Sequence, residues 1–238
     1  VIHVRPATDA DQPAWQALLG RCTSGDFLHD WAWAEVAALD GQPQRRFVAE
    51  EDGERVAIAA AQVRSLPLGR SFWYVPHGPV LDYDHPRAGE WVRAMVIGLR
   101  GAARNAKAIA VKLEPRLELG SAATTHFHRL RHDPRTLQVG QTRLVELGDN
   151  DTLLAGFDKD TRYAVRRAER EGVTIRVAED PADTAAIDAL HGLVLETQLR
   201  AGFPRPPLER YRTAWRALAG AGRASILEAQ HNGRLLAS

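Results

Sequence analysis

The sequence is short of cysteine, lysine and long apolar runs, and each shortage excludes something. Cys22 is the only cysteine, so no disulfide can form within the chain, and a reducing compartment, the cytoplasm, is the expected setting. No residue near Cys22 resembles an activating base, which sets it aside as a nucleophile. Lysine occurs only at Lys107, Lys112 and Lys159, so the positive charge is almost all arginine. The formal net charge of +1 excludes a strong global field. Any basic site must be local. No apolar run approaches the roughly 20 residues that a membrane span requires. The start, Val1-Ile2-His3-Val4-Arg5, has neither the basic lead nor the apolar core of a signal peptide. There is no P-loop and no Gly-x-Ser-x-Gly elbow. His128 and His132 share a helical spacing, but Arg129 stands where a zinc protease carries its glutamate, so no metal is expected.

What is present alternates between strand and helix patterns. Residues 2–5 read as a strand. Asp9 or Asp11 can cap a helix to about residue 19, with Trp15, Leu18 and Leu19 inward. Asp30 can cap a second helix over 31–39. Strands over 46–50 and 55–66 flank Asp52-Gly53, a hairpin signal, and 71–75 makes a third. Pro76-His77-Gly78-Pro79 forces an irregular loop. A long helix follows over 86–106. Next come an apolar strand over 108–113, of the kind buried inside a sheet, a short helix over 122–130 and a strand over 142–147. The order then begins again: strand 173–178, helices 181–201 and 207–218, and a hairpin turning at Asn232-Gly233. This repeat is one of element order. The second copy ends inside a strand, which leads us to expect a C-terminal continuation of the sheet.

The densest chemistry lies in Thr161-Arg162-Tyr163-Ala164-Val165-Arg166-Arg167-Ala168-Glu169-Arg170-Glu171-Gly172-Val173. It reads as the second half of one helix running from about residue 152 to Gly172. Leu153, Leu154, Phe157, Val165 and Ala168 form its apolar face. Arg162, Arg166 and Arg170 stand four apart in one column, and like charges at that spacing repel by about a few tenths of a kcal/mol per pair. A column of arginine forks suits a phosphate. The alternative is a solvated face in which Asp158 pairs with Arg162, Glu169 with Arg166 and Glu171 with Arg167.

Three segments, taken together and in this order, resemble the Fem family of peptidoglycan bridge-forming aminoacyltransferases. They are Phe27-Leu28-His29-Asp30-Trp31-Ala32-Trp33-Ala34-Glu35-Val36, Tyr74-Val75-Pro76-His77-Gly78-Pro79-Val80, and the arginine segment. The resemblance implies an α/β (α+β) fold of tandem acyl-CoA N-acyltransferase (Gcn5-related)-like domains. The first domain is expected over 1–147. A linking helix and the N-terminal part of the second, incomplete here, are expected over 148–238.

The activity it implies is transfer of an amino acid from aminoacyl-tRNA to the stem-peptide amine of a peptidoglycan precursor, a muramoyl pentapeptide carried on a diphosphate. No cofactor is implied, and peripheral contact with the inner membrane surface is compatible with it. Arg162 and Arg166 are the candidates for the diphosphate. Thr161 and Tyr163 are candidate acceptor contacts, Tyr74 can face a peptide cleft, and Trp33 can border it; no catalytic residue stands out. His77 can touch substrate or serve as a plain loop residue. Ala37 departs from the family, which commonly has a phosphate-holding lysine there; Arg45 or Arg46 would have to substitute, or the acceptor is held differently. Two other classes remain open. One is a coenzyme-A-dependent small-molecule N-acyltransferase, against which the loop prolines count, since neither offers an N–H to a pyrophosphate. The other is a non-catalytic module that binds a phosphorylated ligand.

Overall fold

The computed structural model describes residues 1–142, 145–203 and 206–238. The chain divides into two compact units, Val1–Gly140 and Gln141–Ser238.

The first unit is built on one mixed sheet. Strands β1 (Ile2–Pro6), β2 (Gln44–Glu51), β3 (Glu54–Leu66) and β4 (Arg70–Pro76) run antiparallel in that order. The short β5 (Val80–Leu81) pairs with β3, and β6 (Ala108–Glu114) lies parallel to β4. Helix α3 (Ala88–Asn105) makes the crossover that a parallel pair needs. Helices α1 (Gln12–Arg21) and α2 (Trp33–Leu39) lie between β1 and β2 in sequence.

The period-two rule explains how β3 serves two cores. Ala57, Ala59 and Ala61 face α3 together with Phe47, Ala49, Trp73, Val75, Trp91 and Met95. Ile58 and Ala60 face the other way, into Trp15, Leu18, Val48 and Val80. Gly98 brings α3 down onto β1, because a Cβ there would lie 2.4 Å from Val4 Cγ1.

The second unit has a smaller sheet, β7 (Thr174–Ala178), β8 (Ile226–His231) and β9 (Arg234–Ala237), antiparallel in that order. Helices α6 (Thr184–Ala201) and α7 (Leu208–Gly220) supply Ala186, Ile187, Trp215 and Ala219 to its core against Ala178 and Ile226. The opposite face carries Ile175, Val177 and Leu227, each more than half exposed. The β8–β9 turn at Asn232-Gly233 takes positive φ at both residues, as its sequence requires.

Several expectations need correction. The single helix expected from residue 152 to Gly172 is two, α4 (Asn150–Gly156) and α5 (Lys159–Arg170). Asp158 breaks it by capping α5, accepting from Thr161 N at 2.7 Å. Strand β6 is at the end of its sheet, with Ile109 exposed, rather than inside it. The short helix is a 3-10 segment, Ala122–Phe127. Part of the strand expected over 142–147 lies outside the described residues; its described residues have no regular structure. Asp11 does not cap α1. Its carboxylate is buried between Arg5 and Arg55, at 2.7 and 2.9 Å, and accepts from Thr8 N at 2.9 Å. The Arg5 guanidinium in particular holds that carboxyl well below the usual range.

Candidate functional site

The first candidate region is a strap over residues 26–33, which carries no long regular element. Its backbone is held by side chains instead. Gln44 Nε2 donates to Leu28 O at 3.0 Å, Trp15 Nε1 to His29 O at 2.7 Å, and Arg46 to Trp31 O. Gln16 Nε2 donates to Asp30 Oδ2 at 3.0 Å, while Asp30 Oδ1 accepts from Ala32 N at 2.9 Å. The Arg46 guanidinium stacks 3.8 Å over the Trp31 ring, and burial lowers its pKa. Trp33 packs edge-on against Phe27 with centroids 5.0 Å apart. Phe27 is largely exposed, so this aromatic pair lies at the surface of the strap. Ala37 is in the core, and Arg46 is committed to Trp31. Arg45 lies 5.5 Å over Trp73.

The Pro-Gly loop after β4 is built against this strap. Gly78 sits under the fully buried His29 ring: a Cβ there would lie 2.6 Å from His29 Nε2. Tyr83 OH donates to Pro79 O at 2.7 Å, and Ser24 Oγ to Leu81 O at 2.9 Å. His77 adopts φ of 47°, uncommon for a residue with a Cβ. Its Nδ1 lies 2.9 Å from Asp26 Oδ2, although off the line of a full hydrogen bond. Asp26 is itself oriented by Leu28 N, at 3.0 Å to Oδ1, with Arg116 Nη1 at 4.0 Å. Neither ring nitrogen of His29 has a hydrogen-bond partner, and burial pushes that imidazole down to about 4.

Tyr74 does not face a cleft. It is fully buried, and its hydroxyl donates to Glu114 Oε2 at 2.8 Å. Glu114 also accepts from Leu137 N and Gln138 N, each at 3.1 Å, so the tyrosine anchors that segment. Burial, reinforced by the Glu114 carboxylate, raises the phenol.

The second candidate region is α5, none of whose residues is buried. The arginine column is not uniform. Arg162 turns back onto the α4 end, donating to Phe157 O and to Ala155 O. Arg170 sits 5.9 Å from the Tyr163 ring centroid. Arg167 pairs with Glu171 at 2.7 Å. Asp158 is occupied as the cap rather than with Arg162, and Thr161 Oγ1 donates to it at 3.0 Å. Arg166 is exposed and makes no hydrogen bond or ion pair among the described residues. The strap, the loop and Arg166 are what the sequence led us to inspect. Asp26, Arg116 and Glu114 were missed, because nothing local in the sequence links them to His77 or Tyr74.

The Pro-Gly loop is a poor cradle for coenzyme A. Pro76 and Pro79 have no N–H, and the next helix opens only at Ala88. No group of three or more His, Cys, Asp or Glu among the described residues is arranged to hold a metal. No helix among them is long and apolar enough to cross a membrane.

The FemAB family model matches residues 15–137, just over half of the chain. The matched stretch contains both the strap and the Pro-Gly loop. An acetyltransferase (GNAT) domain model matches residues 155–238. The architecture is that of a mixed α/β N-acyltransferase-like protein. A FemX crystal structure superimposes with a TM-score of 0.80 at 23% identity, covering 95% of this chain and 57% of that one. The chain belongs to the FemAB family. A relative from Staphylococcus saprophyticus, Lipid II:glycine glycyltransferase, is 25% identical over 215 residues, 85% of this chain. The chain spans about half the length of that relative.

Proposed function

We propose that the protein is an aminoacyltransferase that moves an amino acid from aminoacyl-tRNA to the stem-peptide amine of a peptidoglycan precursor. The observation that carries this reading is the contact between strap and Pro-Gly loop, inside the region matched by the FemAB model: Gly78 under His29 and His77 beside Asp26. The staphylococcal relative's name, with lipid II as acceptor and glycine as the group moved, makes that pair the first to try. An acceptor on a lipid would bring the protein to the inner, cytoplasmic membrane surface. Arg166 is the open fork for the precursor diphosphate, with Tyr163 beside it; Arg162 and Thr161 support the helix that carries it. A tRNA ester is already activated, so positioning and charge stabilisation supply most of the rate, and no cofactor is required.

The test is transfer of label from a pool of radiolabelled aminoacyl-tRNAs to lipid II or to the soluble nucleotide-linked precursor, using the full-length protein. Label in the precursor supports the reading and names the amino acid. No label, with acetyl transfer from acetyl-coenzyme A instead, favours the second reading, a small-molecule N-acyltransferase, which the GNAT match over 155–238 supports.

A further inference from the structure

We infer that His77 is the proton acceptor for the attacking amine and that Asp26 is its positioning residue. This rests on the aminoacyl-transfer reading above. Five features converge on His77. It stands on the loop between Pro76 and Gly78, where the strap and β4 meet. Its backbone is in the left-handed region, and such conformations in non-glycine residues cluster at functional positions. Among the other positive-φ residues with a side chain, Asp52 and Asn232 simply turn hairpins. Its Nδ1 is buried against Asp26 Oδ2, whereas Nε2 has no partner among the described residues and is not among the buried orphan atoms. The carboxylate beside it is fixed by Leu28 N and flanked by Arg116.

One ring nitrogen lies buried beside an acid and the other is presented, an arrangement in which the acid can orient a base. The off-line contact does not count against it, since such hydrogen bonds often tighten only when substrate binds. Below the loop, Gly78 on His29 and Tyr83 on Pro79 stop it from moving away.

The step balances as follows. The acceptor ammonium loses one proton to solvent and becomes a neutral amine. The amine nitrogen attacks the aminoacyl ester carbon and forms the C–N bond. The proton it sheds passes to His77 Nε2. As the C–O ester bond breaks, that proton goes to the departing ribose oxygen, leaving an amide and the tRNA hydroxyl.

The experiment measures transfer to the precursor by full-length wild type, His77→Asn, His77→Ala and Asp26→Asn. Asparagine tolerates the left-handed backbone and so preserves the loop. His77→Asn is expected to lower kcat about 100-fold with KM little changed. Added imidazole should restore part of the activity of His77→Ala, which a residue with only a structural role would not allow. Asp26→Asn should lower kcat about tenfold, in line with the weaker effect of an orienting group. Equal kcat for wild type and His77→Asn would overturn the assignment, as would a His77→Ala variant that imidazole does not rescue. Wild type that transfers nothing removes the aminoacyl-transfer reading and this proposal together.

Discussion

The two units solve the same problem to different degrees. The first covers both faces of its sheet, with α3 on one side and α1 on the other, and β3 feeds alternate side chains to each core. The second covers one face, with α6 and α7, and leaves Ile175, Val177 and Leu227 more than half exposed on the other. The polar groups follow the same division. In the first unit several are buried and matched: Asp11 between two arginines, strap carbonyls under three side chains, Tyr74 on Glu114. In the second, no arginine of α5 is buried. The lesson is that the first unit holds geometry and α5 presents charge. Substitutions in the cores of the first unit should therefore be read in stability, and that of the open Arg166 on α5 in binding.

The largest effect is expected at Trp15. It is fully buried, touches Trp31 edge-on and holds the His29 carbonyl. Trp15→Ala should cost about 3–5 kcal/mol in urea unfolding of the first unit and leave the second unit's transition in place. A cost below about 1 kcal/mol would break the comparison.

Next comes acid. The ordinary value for His29 is 6.5, and burial lowers it to about 4. The unfolded chain therefore takes up the proton first as pH falls. The stabilisation is complete above about 6.5 and drains away as pH drops toward 4, by on the order of 3 kcal/mol. Urea midpoints at pH 7 and pH 4.5 measure it. His29→Gln should flatten the difference; an equal acid sensitivity in that variant would remove His29 as the cause.

Asp11→Asn should cost about 2 kcal/mol at pH 7. It leaves Arg5 and Arg55 without their buried partner, but both arginines reach solvent, which moderates the loss.

The smallest stability effect is expected at Arg166. Arg166→Ala should change unfolding by less than about 0.5 kcal/mol and weaken precursor binding about tenfold, by calorimetric titration. Arg162→Ala should differ, loosening the α4–α5 junction and lowering helix content by circular dichroism. If the two variants behave alike, α5 is a uniform charged face after all.

How much of this was legible follows the range of the interactions. The hairpin turns at Asp52-Gly53 and Asn232-Gly233 were readable because positive φ is a local demand that glycine meets. The long α3 was readable from its period. The helix break at Asp158 was readable in principle, since Asp-x-x-Thr is a local cap, but the hydrophobic spacing across it masked the signal. The edge position of β6 was not, because an apolar run looks alike inside a sheet and at its end. Tyr74 was misplaced for a related reason: only its register beside β6 puts the hydroxyl on Glu114.

The sequence by itself determined the class of fold, the three segments worth examining and the family they resemble. These are encoded in periodicity, turn residues and short-range spacing, which act over a few residues. Only the tertiary structure decided which arginine of the column is open and that His77 stands beside Asp26. The His77–Asp26 contact depends on residues 51 positions apart in sequence meeting across the strap and the loop. Contacts of that kind are set by how sheets and helices pack, and local propensity carries no record of them.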